Sequence, residues 1–419
     1  MNPYHALLVA EALDAALTGR HAEAEALLKL IAGANDDPAY VFYLLGHVQY
    51  HLGQYEEAAI ALGVSVGVEP NQGSAQNDLA ATLFALGREA EAVPAIERAL
   101  TARPDLAEAE ETWSIELLRA GRFREGWRHY EARMRSAIGG QFRRDFAQPQ
   151  WTGEESLAGR TILLHAEQGA GDTFQFARYA PMVAARGATV LLEAYPGLLP
   201  ALRGLAGVSA LIGRGEALPP FDFHCPLLSL PLAFDTELHT VPADVPYLSA
   251  APEKMLEWRM RLGPRAGRRV GIVFSGNPKH PDDARRSVPL VQFARLLSPA
   301  GNREFHVLQN EIREADRYVL ELLPHVQDHS SMIADFADTA ALISWMDVVV
   351  SVDTAVAHLG GALGWPVWTL LPSRADWRWM TEREDSPWYP TMWLIRQKRA
   401  GDWESVLDET ARRLDELLG

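Results

Sequence analysis

The chain has 419 residues, with 39 lysines and arginines against 55 acids, a formal charge of −16 and 48% hydrophobic residues. That length suits two or three domains with sizeable cores, and the composition excludes a disordered or collagen-like chain. The single cysteine, Cys225, excludes an internal disulfide and a cysteine-rich zinc site, and predicts a reduced, cytoplasmic setting.

At the N-terminus, Glu11 and Asp14 fall where an export signal needs an unbroken apolar stretch. The longest uncharged run, Thr354 to Ser373, has the length of a membrane span, but it holds Gly360, Gly361, Gly364, Pro366 and Pro372. These breakers predict a helix, a turn and a strand in a buried core, so no membrane span is expected. Residues 1–118 carry 18 acids and 5 bases, an acidic front that repels nucleic-acid phosphates. Residues 119–144 carry eight arginines against Glu125 and Glu131, which reads as a solvated face pairing with acidic neighbours rather than an anion site.

Four glycines, Gly19, Gly53, Gly87 and Gly121, recur every 34 residues. Around them Glu-Ala recurs at 23–24, 57–58 and 91–92, with Glu125-Gly126 in the fourth copy. Leu28, Leu62, Ile96 and Tyr130 follow at one offset, and Pro70 and Pro104 close two copies. The pattern resembles the tetratricopeptide repeat over residues 5 to about 138. That resemblance implies stacked helix pairs, a turn glycine between the helices of each pair, and a groove that takes a peptide or protein partner. So few repeats also suit bracing of the next domain or joining of two copies. The predicted repeat region is 1–140, followed by a linker at 141–159.

From residue 160 the pattern becomes strand, glycine loop, helix, strand: Arg160–His165, Ala166–Asp172, a helix-period stretch to Arg186, then Ala188–Glu193. A second such series holds strands at Arg269–Phe274, Glu304–Gln309, Asp347–Asp353 and Pro366–Pro372. Two Rossmann-like α/β domains follow, 160–250 and 268–419, joined by a connection at 251–267. A ligand cleft is expected between them, at the carboxyl ends of the strands. Both a nicotinamide dehydrogenase and a two-domain glycosyltransferase share this layout.

The first loop weighs against the dehydrogenase. Gly169, Gly171 and Glu193 fit parts of a dinucleotide fingerprint, but Phe174 replaces its third glycine and Asp172 would repel a diphosphate. Asp172 reads instead as a helix N-cap or as a general base carried by a tight loop, with Gly169 and Gly171 leaving room for substrate and Gln168 beside them a candidate substrate contact.

The stretch Val348-Val-Val-Ser-Val-Asp-Thr-Ala-Val-Ala-His358 continues through Gly-Gly to Pro366. It resembles the nucleotide-sugar site of the ADP-heptose:lipopolysaccharide heptosyltransferase family, where a strand ending in S-V-D-T-G is followed by a histidine-bearing helix, a proline and a strand. The resemblance covers about 160–372 at motif level and implies the GT-B fold. It places Asp353, Thr354, Ala355 and His358 at the donor and makes Asp172 the catalytic base. Ala355 departs from the family's glycine. Independently, a helix starting at Thr354 and Ala355 offers free N–H groups to a diphosphate, while Asp353 reads equally as an N-cap and His358 as a core histidine. Ser275, Asn277, Lys279 and one of Arg285 or Arg286, with Arg286 preferred, suit phosphate oxygens, and Gln309 ends the neighbouring strand. Surface pairing with Asp282 or Asp283 is the alternative for the two arginines. No D-x-D or H-E-x-x-H pattern occurs, so no metal is expected.

In the tryptophan-dense tail, Trp377 reads either as a stacking surface for the ligand or as a pin holding a loop to the core. The last helix is predicted from Trp403 to Leu418. The combined expectation is a metal-independent inverting glycosyltransferase. It would use a nucleotide sugar, need no cofactor, and act on a hydroxyl of a protein recruited by the repeats, since the heptosyltransferases lack repeats. A glycan or lipopolysaccharide acceptor, and a catalytically dead binding scaffold, are the alternatives.

Overall fold

The computed structural model describes residues 3–33, 37–137, 139–280, 282–298 and 302–418. They fall into two compact units: Met1–Leu117 with Arg128–Gln141, and Leu118–Trp127 with Phe142–Gly419. Residues Leu118–Trp127, the turn of the fourth repeat by sequence, thus group with the α/β part and not with the first 140 residues.

Among the described residues, eight helices come first: α1 (Pro3–Leu17), α2 (His21–Ile31), α3 (Pro38–His51), α4 (Tyr55–Val68), α5 (Gly73–Ala85), α6 (Glu89–Ala102), α7 (Ala107–Arg119) and α8 (Phe123–Tyr130), with α1 packed on α2, α3 on α4 and α5 on α6. Each turn glycine is left-handed, with φ of 76°, 75°, 71° and 78° at Gly19, Gly53, Gly87 and Gly121. Only glycine takes that conformation without steric cost, which explains the period. Ala24, Ala58 and Ala92 are wholly buried, the close contact that small residues permit between helices. Several arginines of the 119–144 run are paired as expected: Arg122 with Glu125, Arg124 with Asp235, Arg135 with Glu110 and Arg144 with Glu193. No helix among the described residues is long and apolar enough to cross a membrane.

Among its described residues the second unit contains two sheets, whose strands all pair in parallel with one another. In the first, β1 (Thr161–His165), β2 (Thr189–Ala194), β3 (Val208–Gly213) and β4 (Phe223–Pro226) lie in the order β3-β2-β1-β4. In the second, the strands are β5 (Arg268–Val273), β6 (Arg303–Val307), β7 (Val326–Asp328), β8 (Val348–Val352), β9 (Val367–Leu371) and β10 (Met392–Arg396). Their order is β10-β9-β8-β5-β6-β7. All five residues of β8 are buried, as a central parallel strand covered on both faces requires. The order reverses between β1 and β4 and between β5 and β8. Such switch points open crevices at the carboxyl ends of strands, where the loops after β1, β5 and β8 begin.

Two connecting segments are more ordered than their composition suggests. The expected linker at 141–159 packs on the first sheet: Trp151 is fully buried, and its backbone N–H donates to the His224 carbonyl at 2.8 Å. The expected connection at 251–267 contains a helix, Pro252–Leu262. It is fastened by Asp338, which accepts from Trp258 Nε1 at 3.0 Å and from Lys254 Nζ at 2.8 Å. The final helix spans Trp403–Leu418 as predicted.

Candidate functional site

The loop after β1 turns at once into a helix, α9 (Ala170–Phe176). Asp172 is therefore not the N-cap: it sits in the first turn, where its Oδ2 accepts from the Gly169 backbone N–H at 2.7 Å. Its other oxygen, Oδ1, is ion-paired with Arg378. Arg378 comes from a short 3-10 turn, Trp377–Trp379, beyond β9. The same guanidinium bonds Gln175 Oε1 through Nε at 2.7 Å and Asp376 Oδ1 through Nη1 at 2.9 Å. One buried arginine thus joins the first Rossmann-like half to the second.

After β8 the helix Ala355–Ala362 begins, and its N-cap is Thr354 rather than Asp353. Thr354 is buried, its Oγ1 3.1 Å from Ser351 Oγ. Burial, reinforced by Asp376, pushes the Asp353 carboxyl up to about 6. His358 is buried too. Its Nδ1 lies 3.0 Å from the Tyr389 hydroxyl, its ring stacks on Trp379 at 5.1 Å, and Nε2 is 4.0 Å from Asp353 Oδ1. Burial, and secondarily Arg378, lowers it to about 3, so the ring is neutral at pH 7. This is the core placement of His358. Gly171 does not open space for a ligand: a Cβ there would lie 2.8 Å from His358 Cδ2 and 3.6 Å from the Ala355 Cα. Its missing side chain lets the two loops meet.

The third loop follows β5. Ser275 and Gln309 are buried and satisfy each other: Gln309 Nε2 donates to Ser275 Oγ at 2.9 Å, and Gln309 Oε1 accepts from the Phe274 N–H at 3.0 Å. Asn277 Oδ1 caps the turn by accepting from the Lys279 N–H at 2.9 Å, and Lys279 itself is exposed. Arg285 pairs with Asp282, the surface pairing, whereas Arg286 turns inward. Its Nη1 donates to the Asp353 carbonyl at 3.0 Å; its buried Nε lies 4.0 Å from Asp283 Oδ1, the other expected pairing, and makes no hydrogen bond among the described residues. Gly276 makes room for it, since a Cβ there would be 2.8 Å from Arg286 Nη2. His280, on the same loop, lies within electrostatic reach of Arg286, Asp376 and Asp172.

Asp172, Gly171, Arg286, Asp353, Ala355 and His358 are therefore gathered at one place. Gln168, half-buried, and Gly169 frame the β1 loop; Lys279 and Asn277 are exposed on the β5 loop; Ser275 and Gln309 brace it from below. Trp377 is a pin: buried, it meets Trp127 edge-on at 5.3 Å, and the Arg378 guanidinium covers its ring at 4.3 Å.

Residues 73–106 match the tetratricopeptide repeat family model. The chain is 25% identical over 423 residues to Protein FlbA of Caulobacter vibrioides, across 94% of this chain and 70% of that protein. Among solved structures it is similar to the E. coli ADP-heptose lps heptosyltransferase II, at 14% identity and a TM-score of 0.47, over 61% of this chain and 99% of that one. A Thermobaculum terrenum O-GlcNAc transferase mutant aligns over 98% of this chain and 91% of its own, at 13% identity and a TM-score of 0.35.

Sequence reasoning passed over Asp376 and Arg378. Their signal was two opposite charges, two residues apart, set into the run Ala375-Asp-Trp-Arg-Trp-Met380. Charges amid so many apolar rings are bound to be paired, because burying an unpaired one is costly. Arg396 belongs to the same neighbourhood; burial, and then Arg119, lower it to about 10.

Proposed function

We propose that the α/β unit is a glycosyltransferase that moves a sugar from a nucleotide-sugar donor to a hydroxyl acceptor with inversion and without a metal. The observation that carries this reading is the meeting of the loops after β1, β5 and β8, which brings the Asp172 carboxylate, the Arg286 guanidinium and the start of the helix Ala355–Ala362 to one place. In the reaction, the acceptor oxygen attacks the anomeric carbon and loses its proton to Asp172. The bond from that carbon to the diphosphate oxygen breaks, and the nucleoside diphosphate leaves with the electron pair. Arg286 and the N–H groups of Ala355 and Val356 offset its charge.

The acceptor we propose is a protein brought by the repeats. The α3 face supports this: Tyr40, Tyr43 and His47 form an aromatic row, and His47 Nδ1 lies 2.7 Å from Asp78 Oδ2. Rings beside a carboxylate suit a basic or polar chain. A binding scaffold without catalysis is favoured by one observation, the pairing of Asp172 with Arg378.

Both readings are separated by incubating the full chain and its Asp172→Asn variant with a panel of nucleotide sugars and candidate acceptor proteins, followed by mass spectrometry. The transferase reading expects a sugar mass added by wild type, with a loss of about 100-fold or more in the variant. Wild type that neither transfers sugar nor binds any nucleotide leaves the scaffold.

A further inference from the structure

Arg378 bonds Asp376 of its own turn and both Gln175 and Asp172 of α9, and these partners do not stand in the same relation to the site. Asp376, two residues away, holds the guanidinium within its own turn, and Gln175 meets it from α9. Asp172 is the exception, because it is the group assigned to take a proton. With Oδ2 held by the Gly169 N–H and Oδ1 by Arg378, the carboxylate is oriented, but an acceptor hydroxyl competes with a charge-assisted bond for the same oxygen. Arg286, whose Nη1 donates to the Asp353 carbonyl, stands nearby: it and Arg378 are both within electrostatic reach of Asp353 and His358. A diphosphate bound against Arg286 therefore arrives next to a guanidinium that already has carboxylate partners.

We propose that Arg378 is a positioning residue that exchanges partners: it is shared between the Asp172 carboxylate and the diphosphate of the donor, so that donor binding draws it off Asp172 and frees that base for the acceptor. The exchange moves no proton and breaks no covalent bond; one ion pair replaces another. Its consequence is an order of events, with donor before acceptor. An acceptor arriving first meets a carboxylate held in a charge-assisted pair, and so a weaker base. This inference rests on the transferase reading of the site.

The test is a double-mutant cycle on nucleoside-diphosphate affinity, which needs neither the sugar nor the acceptor to be known. ADP, UDP and GDP are titrated into the full chain by calorimetry, and the tightest binder is measured against Asp172→Asn, Arg378→Met and the double variant, with Arg378→Lys as the conservative replacement. Thermal unfolding confirms that each is folded. Competition predicts that Asp172→Asn tightens binding, by roughly 3- to 10-fold, since the guanidinium loses its rival. Arg378→Met weakens binding by about 10-fold or more, Arg378→Lys recovers part of it, and Asp172→Asn has no further effect once Arg378 is gone. A purely structural arginine gives no tightening in Asp172→Asn. If Asp172→Asn tightens binding equally in the Arg378→Met background, simple removal of negative charge explains it and the exchange is overturned. Both of those outcomes leave the transferase reading standing. A wild-type chain that binds none of the three nucleotides overturns the transferase reading and the exchange together.

Discussion

Gly171 and His358 touch across the two halves of the α/β unit: a Cβ placed on Gly171 would lie 2.8 Å from the imidazole Cδ2. The ring cannot retreat easily, because Trp379 stacks on it and its Nδ1 is engaged with the Tyr389 hydroxyl. Gly171→Ala is therefore expected to lower stability by about 1–3 kcal/mol and to weaken nucleotide binding as the loops part. Urea unfolding of the variant, monitored alongside nucleotide affinity, checks both effects; an unchanged midpoint would show that the loops separate freely.

Asp353 predicts a pH-dependent gain. Burial and the neighbouring Asp376 raise its carboxyl from 3.8 to about 6, so the fold prefers the protonated form. The associated stability is fully present below the unfolded value of 3.8 and is lost as the pH rises through 6. Asp353→Asn keeps the neutral form at every pH. Melting curves should show the variant a few degrees above wild type at pH 8 and level with it at pH 3.5.

His306 and His329 predict the opposite slope. His306, on β6, and His329 are both buried and stack at 5.3 Å, with Nδ1 of the first 3.0 Å from Nε2 of the second. Burial, with His329 and Arg269 adding to it, depresses His306 from 6.5 to about 4. Its contribution is present above 6.5 and is lost as the pH falls toward 4, at roughly 2 kcal/mol or more. Denaturant unfolding across pH 4–7 measures this, and His306→Gln should flatten the slope.

Trp127, from the fourth repeat, is buried among Trp377, Trp388 and Phe176, and its Nε1 donates to the Thr236 carbonyl at 3.0 Å. Trp127→Ala is expected to cost about 3–5 kcal/mol. Because Trp377 adjoins Arg378, the variant should also lose nucleotide affinity, whereas a truncation at the exposed Leu30 should change neither. Calorimetric melting and nucleotide titration read the two effects separately.

The sequence by itself determined the elements whose signals are local. The 34-residue recurrence of glycine marks positions that must be left-handed, and all four are. Short apolar runs between breakers mark the buried parallel strands, and β1, β2, β5, β6, β8 and β9 were all legible. So were the loops that carry Asp172, Arg286 and Asp353, since a strand end followed by small polar residues has a recognisable composition. Tertiary structure alone decided what those residues touch. Asp172 meets Arg378 from 206 positions away, and no periodicity encodes a contact of that separation. Nor does composition show that His358 is shut between Trp379, Tyr389 and Gly171, or that Trp377 is spent on packing. Both sides of such contacts come from different elements, and only the burial of their apolar rings brings the charged groups between them together.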